Sequence, residues 1–208
     1  MRLIGLTGNI ASGKSTVMAL LRELGAVTVD ADKLVHQLME PDTPVTQAIA
    51  EVFGPEVLDE RGAVNRKALA AIVFRDPAAL RRLEAIVHPA VRRAIREEIA
   101  RWRAAPNPPP ALVVEAVKLV EGGQHEMYDS LWVVVADPEV QRQRLVERRG
   151  LSPEEAEARL AAQPPLEPKL KLADVIIVNN GSLEELRRQV VDAWQKTLAK
   201  AQEETADA

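Results

Sequence analysis

Cysteine is absent from the 208 residues, so disulfides, thiolate nucleophiles and cysteine-based zinc sites are excluded. An excess of positive charge is absent as well. The formal net charge is −4, whereas a chain that grips nucleic acid without sequence preference presents a basic surface, so no nucleic-acid partner is expected. No apolar run approaches the length that crosses a bilayer, so no membrane association is expected. The chain enters its first strand candidate within a few residues, and a cytoplasmic location is the expectation. Internal repeats and low-complexity segments are missing too. The length allows one proper core, as a single domain or as a domain with insertions.

What is present begins at residue 8. Gly8-Asn9-Ile10-Ala11-Ser12-Gly13-Lys14-Ser15 is a complete G-x-x-x-x-G-K-[ST] phosphate-binding loop. It follows the apolar run Leu3-Ile4-Gly5-Leu6 and precedes a helical stripe, Val17, Leu20, Leu21 and Leu24. That strand-loop-helix context is what the motif requires. In such a loop, backbone amides wrap a phosphate chain, and glycine admits dihedrals that a Cβ would forbid. The positive end of the following helix points at the same phosphates. Lys14 would reach the β- and γ-phosphates, and the Ser15 hydroxyl would sit on Mg²⁺. ATP with Mg²⁺ is the expected nucleotide, with Gly8 through Thr16 as its binding segment.

Five short apolar runs alternate with helical patterns, at about residues 3–6, 26–29, 111–115, 131–136 and 174–178. This predicts an α/β fold with a mostly parallel five-stranded sheet and helices on both faces. Helix starts are marked by Asn65, Asp76-Pro77, Asp137-Pro138, Ser152-Pro153-Glu154-Glu155 and Ser182-Leu183-Glu184-Glu185, the last two being capping boxes. His88-Pro89 is expected to kink or restart its helix, because Pro89 has no N–H to donate. Trp102, Trp132 and Trp194 fall on apolar stripes and are expected to pack. The strandless stretches 33–104 and 139–172 read as insertions over an active site at the carboxyl ends of the strands.

Several side chains near those strand ends carry chemistry. Asp30 and Asp32 follow the second strand, where a carboxylate could take or align the proton of a phosphoryl acceptor. Asp32 fits that role. Asp30 could instead organise Mg²⁺ through water or simply cap the next helix. Arg144 and Arg148 lie one turn apart in an arginine-rich helix and share a face, either solvated or turned toward ATP. His88 is a ligand contact or a structural histidine beside Pro89. Asn179 touches a nucleobase or belongs to the turn before Ser182. A small-molecule kinase, a nucleoside or nucleotide kinase and a nucleotide-dependent switch all remain open. The missing Asp-x-x-Gly signature after the third strand counts against the switch. Nothing in the sequence bears on the oligomeric state.

Taken together, these residues resemble the dephospho-coenzyme A kinase family over about residues 2–195. The resemblance rests on Leu6-Thr7-Gly8…Gly13-Lys14-Ser15-Thr16, Val29-Asp30-Ala31-Asp32, Leu83-Glu84-Ala85-Ile86-Val87-His88-Pro89, Asp137-Pro138…Gln141…Arg144-Leu145…Arg148, Ala161-Ala162-Gln163 and Lys171…Ala173-Asp174-Val175-Ile176…Asn179-Asn180-Gly181. It implies the ATP-dependent phosphorylation of a small molecule, the ribose 3′-hydroxyl of dephospho-coenzyme A, as the last step of coenzyme A synthesis. It also implies a nucleotide-binding core (1–32 with 105–140 and 172–200), a helical substrate region (33–104) and a lid (141–171). By motif position Asp32 looks like the catalytic base, and Arg144 and Arg148 look like the phosphate-contacting arginines. The family's Pro-Leu-Leu-x-Glu segment reads Val117-Lys118-Leu119-Val120-Glu121 here. Glu121 is kept, and Lys118 adds a cation that either meets a substrate phosphate or points outward.

Overall fold

The computed structural model describes residues 1–117, 119–120, 123 and 125–206, except the side chains of 201–206. The chain divides into two compact units, Met1–Val29 with Ala105–Ala208, and Asp30–Ala104.

The first unit is organised by a five-stranded sheet of β1 (Arg2–Thr7), β2 (Val27–Asp30), β3 (Ala111–Glu115), β4 (Ser130–Val135) and β5 (Val175–Val178), in the order β2-β3-β1-β4-β5. β1 lies between β3 and β4, parallel to both, with Leu6 opposite Glu115 on one side and Trp132 on the other. The strands alternate between two covered faces. Ile4 and Leu6 join Trp132, Val134 and Ile177 in one apolar cluster, roofed by Val17 and Leu21 of helix α1 (Lys14–Glu23) and by Val190 and Trp194 further along the chain. On the opposite face a Cβ at Gly5 would press within 2.9 Å of the Tyr128 ring and 3.1 Å of Leu119. This face-to-face burial is why the strands read as nearly continuous apolar runs. Gly25, with a φ of 94°, closes α1 by donating its N–H to the Arg22 carbonyl at 3.0 Å, the glycine C-cap expected there.

The second unit is helical. It contains α2 (Ala31–Leu38), α3 (Pro44–Phe53), α4 (Arg66–Val73) and the 27-residue α5 (Pro77–Arg103). Helices α2, α3 and α4 each pack against α5, whose buried stripe is Val87, Val91, Ile95 and Ile99. Thr43, Asn65 and Asp76 accept capping bonds from Thr46, Ala68 and Ala78. The helix does not restart at His88-Pro89, since α5 continues through Pro89. Pro89, His88 and Ala85 all lie on the exposed side of the helix. Pro89 has no N–H to donate to the Ala85 carbonyl one turn earlier, and both residues are exposed. Trp132 and Trp194 are in the core. Trp102 is only half-buried, and its Nε1–H donates to Glu98 at 3.2 Å.

After β4 the first unit continues through α6 (Pro138–Arg149), α7 (Pro153–Ala161), α8 (Glu167–Leu172) and α9 (Leu183–Ala206). Both capping boxes form. Asp137 holds the N-cap position of α6, but its carboxylate makes no capping bond. The Asp137 N–H donates to Asn180 Oδ1 at 2.8 Å. Edge strand β5 leaves Ile176 and Val178 exposed at 47% and 44%. The Gln189 side chain closes its edge, accepting from the Val178 N–H at 2.9 Å and donating to the Val178 carbonyl at 2.7 Å. Among the described residues, no helix is long and apolar enough to cross a membrane.

Candidate active site

β1 ends at Thr7 and hands the chain to the loop, and α1 begins at Lys14. Gly8 and Gly13 adopt φ values of 149° and 100°. A Cβ on Gly8 would strike the Val134 carbonyl oxygen, and one on Gly13 would strike the Asn179 side-chain amide. Both glycines are thus required by backbone conformation and by close approach. No side chain caps α1, and its first turn carries no acidic residue. The positive end of the helix is left for an anion. The Ser12 hydroxyl is buried in the loop and makes no hydrogen bond there. An orphaned buried donor is expensive, and a phosphate oxygen would satisfy it.

Lys14 is nearly buried. Its Nζ donates to the carbonyls of Gly8 and Asn9 at 3.1 and 3.3 Å and stands 3.7 Å from Glu115 Oε1. Glu115 ends β3, so its carboxylate meets the loop at the carboxyl edge of the sheet. On the other flank Arg144 projects from α6. It donates to the Ala11 and Ser12 carbonyls at 3.2 and 3.3 Å and to the Asn179 carbonyl and Oδ1 at 2.8 and 3.2 Å. Asn179 Nδ2 donates to the Ser12 carbonyl at 2.8 Å. Arg148, one turn further on, is exposed. Burial first, and then the Arg148 cation, lower the pKa of Arg144 from its ordinary value. An anion beside the pair would relieve both effects.

Thus Lys14, Ser12, Arg144 and Asn179 come together around the loop. Asn179 contacts the loop itself, a role the sequence reading did not consider. Ser15 stands exposed at the start of α1 and Thr16 is half-buried beside it, its N–H donating to the Gly13 carbonyl at 3.0 Å. In the helical unit, Asp30 caps α2 by accepting from the Lys33 N–H at 3.0 Å, with its second oxygen 3.7 Å from Lys33 Nζ. Asp32 is exposed in the first turn of α2, and His88 is exposed on α5. Lys118 and Glu121 lie outside the described residues.

Sequence reasoning passed over four residues of this neighbourhood as site residues. Glu115 was legible as an acidic end to an apolar strand. Gln141 Nε2 donates to the Ile10 carbonyl at 3.0 Å, Gln163 Oε1 accepts from the Ile10 N–H at 3.0 Å, and Lys169 Nζ reaches Asn9 Oδ1 at 3.4 Å. Asn9, Gln141, Leu160, Gln163 and Leu166 help to line a cavity of about 270 Å³ beside the loop. A cavity of about 400 Å³ is lined by Arg2, Ser130 and Val175, at the amino ends of the strands, the end of a parallel sheet that does not present the loop. Among the described residues, no cluster of three or more His, Asp or Glu side chains could hold a metal.

Residues 2–185 match the family model described as Dephospho-CoA kinase. The chain is 52% identical to the Dephospho-CoA kinase of Symbiobacterium thermophilum, over 94% of this chain and 81% of that one. It is 46% identical to the Dephospho-CoA kinase of Geobacter sulfurreducens, over 94% and 98%. Among solved structures, TT1252 from Thermus thermophilus aligns with a TM-score of 0.79 at 39% identity, over 94% and 97% of the two chains. The Dephospho-CoA kinase from Campylobacter jejuni aligns with a TM-score of 0.63 at 30% identity, over the same shares. With the phosphate loop, the parallel sheet and these likenesses in view, the chain belongs to the dephospho-CoA kinase family.

Proposed function

We propose that this protein transfers the γ-phosphoryl group of ATP to the ribose 3′-hydroxyl of dephospho-coenzyme A, giving coenzyme A and ADP. The observation that carries the reading is the loop of residues 8–15. It has two glycines that tolerate no side chain, a lysine folded over it and an uncapped helix behind it, in a chain of this family. Residues 1–32 with 105–140 and 172–200 are the nucleotide core, 33–104 the acceptor region, and 141–171 a lid.

Phosphoryl transfer asks the protein mainly for alignment and charge stabilisation. The loop amides and the start of α1 receive the phosphate chain, and Lys14 leaves the Gly8 and Asn9 carbonyls for the β- and γ-oxygens. Asn179 and Arg144 hold the loop in shape. Arg148, exposed one turn away, is the cation assigned to the equatorial charge of the transferring group. Asp32 takes the proton of the attacking hydroxyl, with His88, Lys118 and Glu121 on the acceptor side. The Ser15 hydroxyl, with Asp30 acting through water, would hold Mg²⁺, which would supply neutralisation of the triphosphate charge.

A coupled ADP assay across acceptors tests the reading. Dephospho-coenzyme A should stimulate ADP release, and nucleoside monophosphates should not. Asp32→Asn should lower kcat by at least about a hundredfold with ATP affinity retained, and Lys14→Ala should remove activity. Normal turnover in Asp32→Asn would refute the base, and acceptor-independent hydrolysis would refute the kinase.

A further inference from the structure

Among the described residues, the chemistry above leaves one buried cation unused. Lys169, in the short helix α8, has a side chain 0% exposed to solvent. A lysine is almost never fully buried unless its charge is met. One of its partners is Asn9 Oδ1, at 3.4 Å. Asn9 is the first residue after Gly8, and its other groups are also engaged. Its Nδ2 donates to the Pro164 carbonyl at 3.4 Å, and its main-chain carbonyl accepts from Lys14 Nζ at 3.3 Å. The next residue is held from both sides, by Gln163 at its N–H and by Gln141 at its carbonyl, each at 3.0 Å. The loop is therefore held in two halves. Arg144 and Asn179 hold Ala11 and Ser12, while the 163–169 segment and Gln141 hold Asn9 and Ile10. Asn9 is the junction at which two ammonium groups meet, one on its backbone and one on its side chain.

We propose that Lys169 is a positioning residue for phosphate binding. Through the Asn9 side chain it fixes the first turn of the loop, and with it the carbonyl that parks Lys14, in the shape that receives a triphosphate. The proposal rests on the reading of this loop as the ATP site. Lys169 touches no substrate and acts through Asn9. Its charge matters as well as its packing. A second cation behind the loop eases the gathering of phosphate charge there, and a neutral side chain of similar length would keep the packing and lose both effects.

The test is a double-mutant cycle on the intact protein, read as ATP affinity by titration calorimetry without acceptor, and as kcat and KM with acceptor. Lys169→Met should raise the Kd for ATP about tenfold, the size expected for a lost hydrogen bond to a charged group, while KM for the acceptor stays unchanged. Asn9→Ala should raise the Kd similarly, and the double variant should be no weaker than the worse single one. Unchanged ATP affinity in Lys169→Met, or losses that add in full, would overturn the proposal. If Lys169→Met does not fold, Asn9→Ala decides alone, and wild-type affinity in that variant overturns it. Wild-type protein that binds ATP but leaves dephospho-coenzyme A unphosphorylated would sink the substrate reading without touching this one.

Discussion

At Gly13 the backbone sits at a φ of 100°, and the Asn179 side-chain amide occupies the space where a Cβ would go. Gly13→Ala therefore carries two penalties, a strained backbone and a displaced Asn179. Asn179 is shared with Arg144 and the Ser12 carbonyl, so its displacement reaches the whole second half of the loop. We expect Gly13→Ala to fold but to weaken ATP binding by at least about a hundredfold, measured by titration calorimetry. Near-normal affinity would mean that this half of the loop does not shape the phosphate site. The residues that matter here differ in how plainly they were written. Lys14 and the glycines announce themselves by spacing. Arg144 was legible as a charge on a helix and, through the family resemblance, as a phosphate contact, but not as a brace of the loop, because its partners are main-chain carbonyls of residues 11, 12 and 179. Lys169 was illegible, since nothing local marks a lysine in a charged segment as buried.

At the scale of elements, the α9 entry gives a measurable case. Glu185 is held below the usual carboxylate range, first by the Ser182 backbone N–H and then by the Ser182 hydroxyl. A depressed folded-state pKa stabilises the native protein above the unfolded value, near about 4.3 for glutamate. That contribution disappears as pH falls through the lower folded value. An NMR pH titration should show Glu185 moving part of the way back toward the ordinary range in Ser182→Ala, which keeps the backbone N–H and removes the hydroxyl, and an unmoved value would remove the Ser182 hydroxyl as a contributor. Such caps are local, which is why Asn65, Asp76, Ser152 and Ser182 could be read from sequence. Asp137-Pro138 likewise marked the start of α6, although the Asp137 carboxylate makes no capping bond. His88-Pro89 did not restart its helix, and the stripe of Val87, Val91, Ile95 and Ile99 stays buried across it. The strands were legible as apolar runs, with limits shifted by a residue or so. Their order in the sheet rests on pairings that periodicity does not encode.

For the whole molecule, nucleotide binding and stability are linked, because a ligand that binds only the folded chain stabilises it. ATP with Mg²⁺ at about a hundred times its Kd should add about 2.7 kcal/mol. For a chain of this size that is a rise in Tm of about 5–10 °C in thermal unfolding. Lys14→Ala should abolish most of the rise and chelation of Mg²⁺ should reduce it, whereas an identical rise in the variant would separate the lysine from nucleotide binding. The central position of β1 has a consequence for biosynthesis. The strand that leads into the phosphate loop is translated well before either of its two neighbours, residues 111–115 and 130–135. At about 5–20 residues per second, the opening segment waits several seconds or more, unpaired and strongly apolar, before either flank is translated. Nascent chains stalled short of β3 should therefore be the ones that most need chaperone cover.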